Sequence, residues 1–456
     1  MSAKSYEAVV IGGGVSGLVA ACALKRKRVL VVEARNRLGG LADSMALAEG
    51  FTAHASLLYA LDPLVVKELK LSKYGLKFAV RDMVLTGLGH GGRSVSFSRD
   101  VHDTVRAIAA HSRADAEAWP LFRAELFTLA RAMRPFWGEV GGKTPRDETL
   151  ERLKSLSAAA WLDSWFESDA VKAALAFDAC DGGLSPFEPG SALILVWRAA
   201  QEMSGLQGAV AQPQGAALLD ALTQCAKARN VEIRTGVSVT QVMSQDGVVH
   251  GVFLSSGEIL MTRLVLSSLS RRRTLRALAS EAGFDALASL APDAAVGEAR
   301  VAMVLKSVPP AAQFSRFVAA ERLETYAAAW SSARAGKLAD EVPVEFVVST
   351  MGAPPGQAIL TARVRPVPVA MTEAMKAELV SRIANRLDGV PHGAVTVLSP
   401  KDIADGHDDD GAQDLLSDWS TRLLTPIAGL LLCGAEPVPA ISGRAARIAA
   451  AIGSTK

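Results

Sequence analysis

Three glycines near the start of the chain have the spacing that brings a backbone close to a phosphate. Gly12, Gly14 and Gly17 stand in the order G-x-G-x-x-G. The first permits a tight turn, the second lets the backbone approach a pyrophosphate, and the third lets a helix pack closely on a strand. Because a lone motif of this kind is weak evidence, its sequence context decides the interpretation.

The segments on either side of these glycines complete a nucleotide-binding unit. Ala8–Ile11 is an apolar run typical of a buried parallel strand, and small residues from Val15 to Leu24 predict a helix. The unpaired N–H groups at the start of that helix are suited to an anion. Glu33 follows a second predicted strand, Arg28–Val32, where its carboxylate can accept hydrogen bonds from ribose hydroxyls. Together these features predict a Rossmann-type dinucleotide site.

The residues after Glu33 resemble a longer motif of one flavoprotein family. Ala34-Arg35-Asn36-Arg37-Leu38-Gly39-Gly40 is similar to the E-A-R-x-R-x-G-G extension of FAD-dependent amine oxidases and phytoene-desaturase-like proteins. The resemblance implies FAD as the cofactor, with Arg35 beside the adenosine ribose. It also implies that Gly39 and Gly40 bring a second backbone loop to the pyrophosphate. A simple NAD dehydrogenase has no need of that second loop.

The same resemblance extends to the C-terminal half of the chain. Val239 corresponds to the valine whose backbone meets the adenine edge, and the strand that ends at Ser267 is expected to close beside the adenine. Residues 429–436 predict a strand and a turn, in which Glu436 is implied to contact the ribityl chain. The residues implied to bind FAD are Gly12, Gly14, Val15, Ser16, Gly17, Glu33, Ala34, Arg35, Gly39, Gly40, His54, Val239, Ser267, Gly434, Glu436 and Ile441.

Two residues are candidates for a direct role in the chemistry. His54 stands in a loop where related flavoproteins commonly carry Asp, and a histidine near a flavin could polarise the ring or act as a base. Hydrogen-bonded packing is the alternative for His54. Arg300 matches the place where related proteins set a basic residue near flavin N5, on the first strand of a second sheet. A solvated charge at the sheet edge is the alternative for Arg300.

Apolar residues at helical spacing indicate a helical region between residues 101 and 203. Such faces usually make a core, but their number and their tryptophans favour a helical cap that lines an apolar substrate cavity. The residues of these faces are Trp119, Phe122, Leu126, Leu129, Met133, Trp161, Leu162, Trp165 and Phe166, with 193–197 as a third face.

Two further patterns are interpreted as loops without chemistry. Residues 86–92 are rich in glycine but lack a strand-then-helix context, so a turn between two short strands is predicted. The chain then has one dinucleotide fingerprint and no NAD(P)H domain of the disulfide-reductase type. His407 and the three aspartates after it are consecutive residues, which cannot all converge on one ion. A solvated acidic turn is predicted there, and no metal site.

Two short patterns predict local structure. Asp62 followed by Pro63 predicts the start of a helix that reaches about Leu71, with Asp62 as its cap. Asp246-Gly247 predicts a tight hairpin turn.

Composition narrows the classes of partner. A net charge of +2 argues against nucleic acid, which usually requires a concentrated basic face. No apolar run approaches the ~18 residues of a membrane span, and the four cysteines show no C-x-x-C spacing. Buried free thiols of a reducing compartment are predicted. The strand near the N-terminus leaves no room for a signal peptide, so a cytoplasmic protein is expected, with peripheral membrane contact left open.

The predicted fold class is α/β with an α+β second domain. A Rossmann-like FAD-binding domain is expected from residues 1–80, 208–292 and 405–456. A substrate domain is expected from residues 81–207 and 293–404, with a helical cap at 101–205 and a mixed sheet at 298–400.

The resemblance implies a desaturase or dehydrogenase that removes hydride from a C–H bond of an apolar small molecule. O₂ or a quinone would then reoxidise the flavin. An amine or amino-acid oxidase is the first alternative, although it would need an aromatic cage that four tyrosines do not make evident. The second alternative is a flavin-binding partner or maturation protein without turnover, in view of the changed loops at His54 and before Ser442.

Overall fold

The fold was obtained as a computed structural model. It describes residues 4–43, 45–48, 51–53, 61–80, 83–89, 93–137, 147–180, 183–203, 209–210, 214–275, 296–308, 315–350, 353–387, 390–407, 423–434 and 444–455. The predicted site residues His54, Glu436 and Ile441 lie outside the described residues, as do Asp408, Asp409 and Asp410.

A five-stranded sheet contains the strand that precedes the first glycine motif. All of its neighbouring strands are parallel, so their carboxyl ends meet at one edge. The strands are apolar because most are covered on both faces. Their order across the sheet is Glu232–Thr235, Val29–Glu33, Ala8–Ile11, Val265–Ser267 and Leu430–Leu432.

Each face of this sheet is covered by a different layer. One face packs on three helices, Val15–Ala23, Gln214–Ala228 and Arg444–Thr455. The other face packs on a four-stranded sheet. Its strands, in order, are Lys4–Ser5, Ile259–Met261, Val248–Leu254 and Val239–Gln245. The predicted hairpin turn is confirmed, because Asp246 and Gly247 both have positive φ, 52° and 72°.

A seven-stranded mixed sheet is the second large sheet of the structure. One face is apolar and packs on helix Glu373–Asn385 and part of helix Leu323–Arg334. The other face is turned toward the helical region. Its strands, in order, are His392–Leu398, Val296–Leu305, Ala358–Pro368, Val344–Ser349, Ser315–Ala319, Val84–Leu88 and Ser94–Phe97.

The helical region is held together by aromatic side chains. Its helices are Val101–Ala109, Arg113–Met133, Asp147–Ser155, Ala158–Trp165, Asp169–Ala179 and Ser191–Met203. The ring centroid of Phe122 lies 4.9 Å from that of Phe166 and 5.4 Å from that of Trp161. Trp119, Trp161 and Phe122 are buried in one cluster. The apolar faces therefore pack on one another as a core, and the cap over a substrate cavity stays a prediction.

Short elements connect these layers. They are the strands Met45–Ala48, Phe51–Ala53, Phe78–Val80 and Ala209–Val210, the α-helices Pro63–Glu68, Arg271–Arg273 and Pro400–His407, and the 3₁₀ helices Gly40–Ala42, Leu71–Tyr74 and Arg134–Trp137. Asp62 caps its helix as predicted, and its carboxylate accepts the N–H of Leu64 at 2.9 Å. That helix ends at Glu68 rather than near Leu71, because Lys70 adopts a left-handed φ of 55°.

The predicted α/β fold class is confirmed. The two short strands predicted around the glycine-rich residues 86–92 are confirmed, because Val84–Leu88 and Ser94–Phe97 pair antiparallel. Cys22, Cys180, Cys225 and Cys433 are buried and are free thiols. None of the helices in the described ranges is both long enough and apolar enough to cross a membrane. The division of the chain into domains stays a prediction.

Candidate functional site

The glycine turn at the carboxyl edge of the parallel sheet is built by close backbone contacts. Gly12 has a φ of 95°, and a Cβ on it would overlap the hydroxyl of Ser268. A Cβ on Gly17 would overlap the carbonyl oxygen of Gly12. The helix that follows can therefore approach its strand only if both positions lack side chains.

The helix that begins at Val15 presents free backbone donors at this edge. Its N-cap, Gly14, has no side-chain capping hydrogen bond, and its first turn holds no acidic residue. The first N–H groups of an α-helix have no partner within the helix, and they carry its positive dipole end. The start of this helix, with the half-buried Ser16, therefore has the backbone arrangement that binds anions in dinucleotide folds.

A second glycine loop closes on the first. Gly39 donates its N–H to the carbonyl of Gly13 at 3.0 Å, and Gly14 and Gly39 form a parallel bridge. A Cβ on Gly40 would lie 3.1 Å from the Cα of Gly14. Gly39 and Gly40 have φ values of 135° and 54°, which residues with side chains rarely adopt. The two loops form one backbone surface that side chains would fill.

Glu33 lies beside this surface and is 7% exposed. One carboxylate oxygen accepts the N–H of Gly13 at 2.7 Å and the other accepts the N–H of Arg35 at 2.9 Å. Each oxygen has two acceptor positions, so the carboxylate retains capacity for hydroxyl donors. The guanidinium of Arg35 lies 3.8 Å from Glu33 and 3.7 Å from Asp43, while Ala34 is exposed.

The Val239 segment lies along the same end of the site. Gly236 donates its N–H to the carbonyl of Arg35 at 2.8 Å, and Val237 donates to the carbonyl of Glu33 at 3.2 Å. Val239 itself is buried at the start of its strand. The structure thus brings Glu33, Arg35 and Val239 together, although about 200 residues separate them in the chain.

Ser267 and Ser268 have different surroundings. Ser267 is fully buried, and its hydroxyl lies 2.7 Å from the hydroxyl of Thr274. The Ser268 hydroxyl donates to the carbonyl of Ile11 at 2.8 Å, and a Cβ on Gly434 would overlap the Ser268 carbonyl. Ser268, which the sequence patterns did not single out, therefore lies where three strands end. Its position one residue past a predicted strand was the available signal.

A buried ion pair positions the terminal helix at this edge. The Nε of Arg444 lies 3.2 Å from the carboxylate of Asp62, which is 2% exposed. The same carboxylate caps helix Pro63–Glu68. Because Arg444 is the first residue of helix Arg444–Thr455, Asp62 connects the N-termini of two helices. The sequence predicted Asp62 only as a cap.

Arg300 lies on an interior strand, so its alternative assignment to the sheet edge is wrong. Strand Val296–Leu305 pairs with a neighbour on each side. The Nε of Arg300 lies 3.3 Å from Glu298, and the arginine side chain is 18% exposed. Residues 298, 300 and 302 alternate with the apolar-face residues, and Ala302 packs near Leu47. This face is therefore turned toward the chain that follows the second glycine loop.

Charged side chains cover the same face of the seven-stranded sheet, and we call them the ionic layer. They are Asp178, Arg198, Glu298, Arg300, Arg316, Glu345, Arg363 and Arg365. Arg363 joins Glu298 at 3.0 Å and Glu345 at 2.9 Å. Arg316 joins Glu345 and Asp178, while Arg365 joins Glu298.

The arginines determine the ionisation of the carboxylates in this layer. Burial by itself would raise the pKa of Glu298, but the guanidinium groups of Arg363, Arg365 and Arg300 hold it well below its usual range. The pKa of Asp178 is also lowered, because Arg316 and Arg198 outweigh the effect of burial. Apart from Arg300, the sequence patterns did not single out this layer. Isolated charges within apolar strands, such as Glu345 in V-E-F-V-V, were the available signal.

Comparison with known proteins supports the nucleotide-binding geometry. A family model described as an NAD(P)-binding Rossmann-like domain matches residues 10–60. Pyridine nucleotide-disulfide oxidoreductase domain-containing protein 2 of Rattus norvegicus is 34% identical over 313 residues, which cover 59% of this chain and 54% of the rat protein. The chain therefore spans about half the length of this curated relative.

Two solved structures share the whole architecture. An oxidoreductase from Methanosarcina mazei has a TM-score of 0.63 at 16% identity, covering 98% of this chain and 100% of that one. Putrescine oxidase bound to putrescine has a TM-score of 0.60 at 15% identity, covering 99% of this chain and 98% of that one. The chain therefore shares the fold of these two proteins. The resemblance stated from the sequence is therefore confirmed for the fold and for its Rossmann-like domain.

Within this fold, eight of the predicted dinucleotide residues meet at one edge of the parallel sheet. These residues lie at or next to the ends of its strands and in the two glycine loops. They are Gly12, Gly14, Gly17, Glu33, Gly39, Gly40, Ser267 and Gly434. Arg300 lies on the other sheet. Among the described residues no group of three or more His, Cys, Asp or Glu side chains could hold a metal ion.

Proposed function

We propose that this chain is an FAD-dependent oxidoreductase that removes hydride from a C–H bond of its substrate, with O₂ or a quinone as acceptor. The observation that carries the proposal is the pair of glycine loops closed on each other beside Glu33. An extended pyrophosphate requires a backbone surface that is free of side chains, and a Cβ at Gly14 or Gly40 would fill this surface. Bound FAD would supply the two-electron acceptor for that hydride.

The chain's own residues have separate tasks in this proposal. The N–H groups at the start of helix Val15–Ala23 would bind the pyrophosphate, because they carry no other cap. Glu33 would accept the ribose hydroxyls, and its bonds from Gly13 and Arg35 already fix its orientation. The backbone at Val239 would meet the adenine. Ser267 would contribute through its backbone alone, since its hydroxyl is paired with Thr274.

The first experiment is purification and spectroscopy of the full chain. A yellow protein that releases FAD, and not FMN, on denaturation is expected. Glu33→Ala should weaken FAD binding by about 1–3 kcal/mol, because ribose hydroxyls lose a charged acceptor. Glu232→Ala, at the opposite end of the same sheet, is the matched control and should retain FAD. Full FAD occupancy of Glu33→Ala in dilute protein would contradict the assignment.

The second experiment separates the candidate activities. Anaerobic stopped-flow mixing with a polyene, an amine and a hydroxylated lipid reports which compound bleaches the flavin. Bleaching by the polyene or lipid supports hydride removal from an apolar substrate. Bleaching by the amine alone would support the amine-oxidase alternative, which the fold favours through putrescine oxidase. A bound flavin that no substrate class reduces would favour a binding protein without turnover.

A further inference from the structure

We propose that the substrate carries a carboxylate, and that Arg300 binds it. The proposal rests on the proposed function, because it takes the substrate to lie between the ionic layer and the glycine loops. It names a chemical class of ligand and the residue that selects it.

Arg300 has donors to spare. Its Nε bonds to Glu298 at 3.3 Å, and its two terminal nitrogens make no hydrogen bond or ion pair with any other residue in the described ranges. At 18% exposure the group is accessible from one side. A guanidinium presents its N–H groups in a planar fork that matches the two oxygens of a carboxylate. Arg300 is therefore held at one nitrogen and open at the other two.

The layer around Arg300 has an excess of positive charge. Among the described residues it contains five guanidinium groups and three carboxylates, which leaves two positive charges in excess. Arg300 also stands directly opposite Arg363 across the strand pair, and like charges so placed repel each other. A partly buried cationic excess is stabilised when an anion binds to it.

The same charge disfavours a cationic ligand. Putrescine oxidase shares the fold and has been solved with putrescine, a diamine. A protonated amine at Arg300 would meet repulsion strengthened by the low dielectric of a partly dry site. The positive charge of the ionic layer thus favours an anionic ligand over a protonated amine at Arg300.

The face that carries Arg300 meets the chain that follows the second glycine loop. Ala302, two residues further along the strand and on the same side, packs with Ile359 and with Leu47 of strand Met45–Ala48. That strand follows Gly40 by five residues. A carboxylate on Arg300 would therefore lie on the side of the sheet that meets the chain leaving the second glycine loop.

The test titrates the purified full chain, with the flavin it retains, with octanoate, octylamine and octanol in low-chloride buffer. Thermal unfolding and the flavin absorbance spectrum are both recorded. Octanoate is expected to raise the unfolding temperature and perturb the spectrum at concentrations at least tenfold below those that octylamine or octanol needs. Equal or tighter binding of octylamine would overturn the proposal, and so would no response to octanoate at millimolar concentration.

Variants assign the effect to Arg300. Arg300→Met should weaken octanoate binding by at least tenfold, while Arg300→Lys retains part of it. Arg234→Met is the matched control, because Arg234 is also 18% exposed and ion-paired but lies in the other sheet, and its octanoate affinity should not change. Unchanged octanoate affinity in Arg300→Met would overturn the proposal. If the protein binds FAD but not octanoate, this inference alone is wrong. If the protein does not bind FAD, the proposed function is wrong. Octanoate binding can still be measured in that case, because thermal unfolding is recorded without a flavin signal.

Discussion

The glycine loops and the ionic layer are two sites built by opposite means. The loops have almost no side chains, and their shape depends on backbone atoms in contact, as at Gly14 and Gly40. The ionic layer is made entirely of side chains, and its stability depends on the balance of arginines and carboxylates such as Glu298. The first site should therefore be sensitive to added volume, and the second to a change of charge. The predictions below test that difference.

The largest effect is expected from Glu298→Gln in the ionic layer. This change removes the carboxylate that Arg300, Arg363 and Arg365 share. Breaking a buried ion pair on one side costs about 3–5 kcal/mol, because uncompensated charge remains. Urea unfolding at pH 7 measures the loss of unfolding free energy. Glu258→Gln, whose partner Arg234 lies in a less buried pair, is the control and should lose less than about 1 kcal/mol.

The pH dependence of stability also tests the contribution of the carboxylates in the ionic layer. Glu298 and Asp178 have pKa values lowered by their arginines, so the folded state favours the ionised carboxylates. Their stabilising contribution is fully present above the unfolded pKa of about 4 and is lost as the pH falls toward the folded values. Wild-type protein should lose stability steeply below about pH 4, and Glu298→Gln less steeply. Parallel curves for the two proteins would contradict this account.

A methyl group added at Gly14 or at Gly17 in the glycine loops should have different effects on stability and on FAD binding. Gly17→Ala is expected to lower the unfolding free energy by about 1–3 kcal/mol, because its Cβ would overlap the backbone of Gly12. Gly14→Ala should change it little, since Gly14 has a φ of −73° and its Cβ would lie 3.5 Å from Gly40. Gly14→Ala should nevertheless lose FAD, because the methyl group occupies the approach of the pyrophosphate. Thermal unfolding and flavin content distinguish the two.

Arg300→Met is expected to lower the midpoint potential of the flavin, with a smaller change in free energy than the stability losses above. A guanidinium near the ring would favour the anionic reduced flavin. For a two-electron couple, ~30 mV corresponds to ~1.4 kcal/mol. Potentiometric titration of the holoprotein measures the shift, with Arg234→Met as the control. A midpoint that stays put would mean that Arg300 acts on the substrate or on the ionic layer and not on the flavin.

No effect is expected from pyridine nucleotides. The chain has one dinucleotide fingerprint, and the glycine-rich residues 86–92 lack the strand-then-helix context of a second one, because Val84–Leu88 and Ser94–Phe97 are paired strands. NADH and NADPH should therefore fail to bleach the bound flavin at a useful rate under anaerobic conditions. Rapid bleaching by either nucleotide would show that a single site serves both purposes, and it would break the assignment of that site to FAD.

The sequence alone determined the nucleotide half of the molecule. Gly12 and Gly17 mark close backbone approaches, and such approaches are encoded by residue type and short spacing. The same local rules predicted the Asp62 cap and the Asp246-Gly247 turn, both of which are confirmed. Residues 34–40 added the resemblance to FAD-dependent amine oxidases and phytoene-desaturase-like proteins, and that resemblance is confirmed for the fold.

Only the tertiary structure decided the second half. The ionic layer joins side chains from residue 178 to residue 365, and no local rule states which charged residue in one strand will face another. The aromatic faces near Trp161 show only a helical period in the sequence, and the folded structure shows which of their side chains pack on one another. Long-range pairing depends on the register of whole strands and helices, which is a property of the assembled fold.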